Sequence, residues 1–135
     1  MILSPFSGYN QLFKLSFECD MSLLPALLKQ IKQNPASIQF KQVIEVIESE
    51  YVFTPQAFKN GDLENTAEQN QGSCKILSFA KLHQLNEAQT LHLFGDYYRQ
   101  DVLQNPNGSD HQNIRNFMQT GWQGVDFSAV ALQEK

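Results

Sequence analysis

The 135-residue chain carries 10 Lys and Arg against 14 Asp and Glu, a net charge of −4, and 41% hydrophobic residues including ten Phe; such a length buries one core, and an acidic balance without a basic cluster excludes nonspecific nucleic-acid binding, which needs Lys and Arg to displace counterions. No apolar run approaches the roughly 18–20 residues that cross a bilayer, and the first twenty residues lack the basic leader and unbroken apolar centre of a secretory signal. Two cysteines, Cys19 and Cys74, are too few for a disulfide framework, so the composition points to a soluble protein of a reducing cytoplasm, with no membrane partner and no nucleic-acid partner.

In chain order, Leu24, Leu27, Leu28 and Ile31 repeat at helical spacing behind Ser22, a candidate N-cap, so the folded unit is expected to begin at Met21. Residues 1–20 are then an extension, a segment that packs through Phe6, Leu12, Phe13 and Phe17, or a secretion signal. Asn34-Pro35 stops this helix and starts the next turn. Phe40, Val43, Ile44, Ile47 and Tyr51 draw one apolar stripe along a second helix, with Gln42, Glu45 and Glu48 facing water. Residues 51–73, broken by Pro55 and by Asn60-Gly61, read as an ordered central loop, with two short strands near Tyr51–Phe53 and Phe58–Lys59 as an option.

The helical period returns from Ser73, with Ile76, Phe79, Ala80 and His83 on one face. Asn86 and Gln89 have capping-box spacing and predict a longer helix from Glu87 to about Gln104, with Leu91, Phe94, Tyr98 and Val102 inward. Gly95, costly inside a helix, marks a close crossing. Asp110 is placed as the cap of a last helix bearing Ile114, Phe117 and Met118 and ending at Gly121, after which Trp122 and Phe127 fold back on the core. The expected fold is mainly α: one compact domain over residues 21–135, about five helices around one core.

Three stretches carry a family resemblance: "YVFTPQAFKNG" with "NQGSCK", then "TLHLFGDYYRQDVLQNPNGSDHQNIRNFM", then Gly121-Trp122. From Met21 to Phe127 the chain resembles the HopJ family of type III effectors. The resemblance implies a small bacterial protein delivered to a host cell by type III secretion or acting on a partner inside the bacterium. It brings no reaction, cofactor or catalytic residue set. Secretion signals of this type are N-terminal and Ser-containing, and the Ser4, Ser7 and Ser16 region is compatible with one.

Two constellations could carry chemistry. Cys74 stands near a helix start, where free N–H groups and the helix dipole favour a thiolate. A nucleophile there needs a base. His83 is nine residues along the same helix, about two and a half turns away, so His111 is the better partner, with Asn113 as orienter. Against this, a free cysteine is most often a small buried hydrophobe. The second constellation, "SDHQNIR", sets Asp110, His111, Asn113 and Arg115 at a helix start. With Asn70 and Ser73 they make a candidate anion or small-ligand site. Its bland reading has Asp110 as a cap, Arg115 paired with an acid such as Asp101, and His111 on a loop carbonyl.

Metal and cofactor signals are missing. No helical His pair has zinc spacing, and Asp62, Glu64 and Glu68 in "DLENTAEQN" lack the glycine and terminal glutamate of a calcium loop, so that stretch reads as a solvated polar loop. The leading expectation is therefore a HopJ-like protein that binds an unidentified protein or small molecule. The alternative is a small Cys/His-dependent hydrolase or transferase using Cys74, His111 and Asn113. A structural subunit that assembles as a homo-oligomer is a third reading.

Overall fold

The first helix, α1, spans Leu15–Gln33 in a computed structural model that describes the backbone from Leu15 and side chains from Leu23 to the C-terminus. It passes through Met21 and Ser22, so Ser22 is not the start of this helix. The packing expected of Phe6, Leu12, Phe13 and Phe17, and the Ser4, Ser7 and Ser16 region, lie outside the described side chains. Leu27 and Ile31 are the buried face of α1.

A 3-10 turn, Pro35–Ser37, leads to α2 (Phe40–Glu50). Val43, Val46 and Ile47 are buried along α2, with Phe40 and Ile44 packed beside them. Glu45 and Glu48 face water as expected, but Gln42 does not: its amide donates to Gln30 Oε1 at 2.6 Å, and its Oε1 accepts from the Gln39 N–H at 3.3 Å. Gln42 both caps α2 and fastens it to α1.

Strand β1 (Tyr51–Phe53) follows directly, then β2 (Phe58–Asn60) and β3 (Leu63–Asn65). The two strands anticipated at 51–53 and 58–59 exist but do not pair with each other. β1 pairs antiparallel with the C-terminal strand β5 (Leu132–Glu134). β2 lies in the middle of a second sheet, between β3 and β4 (Val125–Phe127). The reason is local: Pro55 interrupts the run between β1 and β2, while Gly61, at φ +62°, closes a tight β2–β3 hairpin. Stretch 62–70, expected as a solvated loop, therefore contains a strand, and Asn65 on it is buried.

Helix α3 (Gln71–Leu82) buries Cys74, Ile76, Leu77, Phe79 and Ala80. α4 (Glu87–His92) begins with the anticipated capping box, in which the Gln89 N–H donates to Asn86 Oδ1 at 2.8 Å and the Asn86 N–H to Gln89 Oε1 at 3.0 Å. The long helix expected to reach Gln104 does not form. The chain breaks at Gly95, φ +61°, and resumes as a π-helical turn over Tyr97–Val102. A β-carbon at Gly95 would come within 2.7 Å of the Phe40 backbone nitrogen, so the crossing read from this glycine is real and is what interrupts the helix.

α5 (Gln112–Thr120) buries Asn113, Ile114 and Phe117 and leaves Met118 exposed. Trp122 packs back on the core edge-on to Phe117 and donates its indole N–H to the Leu85 carbonyl at 3.0 Å. The buried residues of all helices and of β1, β2 and β5 form one cluster, and each large apolar side chain in it contributes on the order of 1.5–3 kcal/mol.

Candidate functional site

The starts of α3 and α5 come together around one cleft. Asn70, Gly72 and Ser73 on one side and His111, Gln112 and Asn113 on the other line a cleft of about 480 Å³. Phe40, Phe94 and Tyr97 form its aromatic side, and Leu63 and Ile114 complete it. Asn70 and His111 are the N-cap residues of the two helices, and both hold left-handed backbone, φ 53° and 52°. His111, not Asp110, occupies the cap position of α5.

A buried amide network holds these starts in place. The Asn65 and Asn113 side chains exchange hydrogen bonds, Asn113 Nδ2 to Asn65 Oδ1 at 3.0 Å and Asn65 Nδ2 to Asn113 Oδ1 at 3.2 Å. Asn60 Nδ2 donates to the Asn113 carbonyl and to Asn113 Oδ1, and Asn70 Nδ2 donates to Asn65 Oδ1 at 2.6 Å. Asn60, Asn65 and Asn113 are each at most 5% exposed. Burying so many polar groups is tolerable because they satisfy one another; Asn60 Oδ1 is the member left without a partner. Single asparagines in a loop gave no sign of this network in the sequence. Their signal is the recurrence of Asn at 60, 65 and 70 beside a turn.

His111 is fixed from outside the cleft. Its Nε2 lies 3.0 Å from Asp101 Oδ2 on the π-helical turn, with Asp110 Oδ2 at 3.8 Å. An ionised carboxylate only accepts, so Nε2 carries the proton and Nδ1 is the nitrogen left for another partner. The Tyr97 ring sits 5.1 Å from the imidazole, tilted by 35°, and Phe40 meets Tyr97 edge-on at 5.1 Å.

Arg115 is not part of the cleft lining. Its Nε and guanidinium donate to the Asp110 carbonyl and carboxylate at 2.6 Å each and to the Asn105 carbonyl at 2.8 Å, which ties down the 105–110 loop. Asp110 is held below the usual carboxylate range by that hydrogen bond. Arg115 thus pairs with Asp110 rather than Asp101, and most of its N–H groups are committed to the 105–110 loop.

Cys74 departs from the expectation of a nucleophile. Although Ser73 lines the cleft, Cys74 is one position on, about 100° around the helix, and its side chain is 1% exposed in the core. Its thiol approaches the Gln56 carbonyl at 3.7 Å. Burial pushes the thiol pKa up, against weaker opposition from hydrogen bonds to Gln56 and Ser78. Its N–H already bonds the Asn70 carbonyl, so it lies beyond the free donors of the helix start. The imidazoles are engaged elsewhere: His83 Nε2 with the Tyr51 hydroxyl at 2.8 Å, His92 Nδ1 with Arg99 at 3.1 Å, and His111 with Asp101. Cys74, His111 and Asn113 do not form a hydrogen-bonded triad.

Among the described residues no group of three or more His, Cys, Asp or Glu side chains is arranged to hold a metal ion, and no helix is long and apolar enough to cross a membrane. A second cavity of about 470 Å³ runs between Ser78, Lys81 and Leu82 of α3 and the 127–132 segment, and is mostly apolar.

Comparison with known proteins follows the same lines as the geometry. A crystal structure of a protein of unknown function, VPA0580, superposes with a TM-score of 0.82 at 48% identity, over 83% of this chain and 93% of that one. Curated proteins give no match. Residues 24–132 match the family described as HopJ type III effector protein. Spanning α1 from its second half to the first residue of β5, that match places the chain in the HopJ family.

Proposed function

We propose that this HopJ protein acts by non-covalent binding, with the cleft between the starts of α3 and α5 as its recognition site, and that it is a type III effector-like protein carried from a bacterium to its target. The observation that carries the reading is the meeting of Asn70 and Ser73 with His111, Gln112 and Asn113 around one cleft from which the nearest thiol is turned away. An open pocket with both aromatic and polar sides, braced by a buried amide network, suits recognition. Catalysis through Cys74 lacks a base in hydrogen-bond contact with the sulfur.

The test is a fragment titration followed by amide NMR. Binding in the cleft moves the resonances of Ser73, His111 and Gln112 together and saturably. A library that leaves all three unmoved overturns the proposal. Delivery is tested separately by fusing the full chain to a translocation reporter, and absence of transfer removes the effector half of the reading.

A further inference from the structure

We infer that the cleft takes an uncharged, flat ring bearing carbonyl and N–H groups, a cyclic amide of the nucleobase kind. The inference rests on the binding reading above and narrows it to a ligand class.

Charge is the first constraint. The cleft lining contains no Lys, Arg, Asp or Glu. The nearest charged groups are consumed: Asp101 by His111, and Arg115 by Asp110 and the loop carbonyls. A fully charged ligand would give up water without meeting an opposite Lys, Arg, Asp or Glu charge in the lining. An uncharged ligand avoids that cost.

Shape is the second. Phe40, Tyr97 and His111 follow one another along the cleft, Phe40 edge-on to Tyr97 and the Tyr97 and His111 rings tilted by 35°, with 5.1 Å between successive centroids, and Tyr97 is 45% exposed. A half-exposed aromatic ring is a surface on which a flat ring stacks.

The third is the set of hydrogen-bonding atoms still open. Asn70 commits one amide N–H to Asn65, and Gln112 one to the Ser109 carbonyl at 2.7 Å, which leaves each side chain its carbonyl oxygen as an acceptor and a second N–H as a donor. His111 Nδ1 is the imidazole nitrogen that Asp101 does not engage, and the Ser73 hydroxyl, a donor and an acceptor, has no partner among the described hydrogen bonds. Side-chain amides that each offer a donor beside an acceptor, with a hydroxyl, placed next to aromatic rings, match the paired N–H and carbonyl edge and the face of a cyclic amide together. An apolar ring would leave these atoms dry and unpaired; a sugar would forgo the flat face.

The experiment titrates labelled full-length protein with uridine, uridine monophosphate, glucose and toluene. Uridine is expected to shift Ser73, Tyr97, His111 and Gln112 saturably, and the monophosphate to bind no more tightly than uridine. Tyr97→Ala is expected to weaken uridine at least tenfold, and Ser73→Ala severalfold, with thermal midpoints near that of the parent. If glucose or toluene saturates the cleft and uridine does not, the ligand class is wrong while the site stands. A phosphate that tightens binding tenfold overturns the charge argument. No response to any probe here or to the fragment library removes the site and the ligand class together.

Discussion

Asn65 on strand β3 and Asn113 in the first turn of α5, 48 positions apart, bond each other through both side-chain amides. This pair ties the hairpin to the helix start and, through Asn70, to the start of α3. The cleft owes its shape to that contact, because Asn70 and Asn113 line it while Asn65 sits behind them.

Replacing Asn113 by Ala should therefore destabilise the protein by roughly 1–3 kcal/mol, the usual cost of stranding buried amide partners. Denaturant unfolding measures the loss. A change under about 0.5 kcal/mol, the range of an ordinary surface substitution, would show that the network is dispensable.

Gly95 and Gly72 should separate two roles for glycine at the cleft. Gly95→Ala forces a β-carbon to 2.7 Å from the backbone nitrogen of Phe40 while keeping a positive φ, and backbone at that crossing has no room to yield. It should cost at least about 2 kcal/mol, combining strain and overpacking. At Gly72 the nearest atom is the Phe40 Cζ, 3.3 Å away on a side chain. Gly72→Ala should stay within about 1 kcal/mol of the parent, since alanine favours the helix. Paired thermal melts decide it, and equal effects at the two positions would contradict the crossing.

Two imidazoles make the fold acid-sensitive. Burial lowers the pKa of His83, and burial followed by the Arg99 guanidinium lowers that of His92. Arg99 only donates, so His92 Nδ1 must accept and the ring is neutral. The unfolded rings take protons more readily than the folded ones, so their contribution is complete above about pH 6.5 and is lost as the pH falls from there through the lowered folded values. Melting temperature should hold steady at neutral pH and drop on acidification below that point, with a shallower drop for His92→Gln. An unchanged melting temperature down to about pH 5 would refute the assignment.

Cys74 should alkylate with iodoacetamide much more slowly than a free thiol at neutral pH, and catch up on unfolding, because its sulfur is buried and burial raises its pKa. The measurement uses a Cys19→Ser background so that one thiol is followed. Fast labelling of the folded protein would return Cys74 to the list of reactive groups.

What the sequence by itself determined is the part written at short range. The stripe from Phe40 to Tyr51, the Asn86–Gln89 capping box, the stop at Asn34-Pro35, the crossing at Gly95 and the return of Trp122 are each legible because helix period and capping depend on residues within a turn or two of one another. The juxtaposition of "NQGS" with "HQNI" was an open question there, since nothing local relates positions 70 and 111. Only the tertiary structure decided that β1 pairs with β5 and not β2, that the asparagines at 60, 65, 70 and 113 share one network, that Arg115 braces a loop, and that Cys74 faces the core while Ser73 faces the cleft. Three-residue strands and single buried amides carry too little local preference to choose a partner. Closure of the whole chain around its core makes that choice, by leaving each polar group one place where its hydrogen bonds can be met.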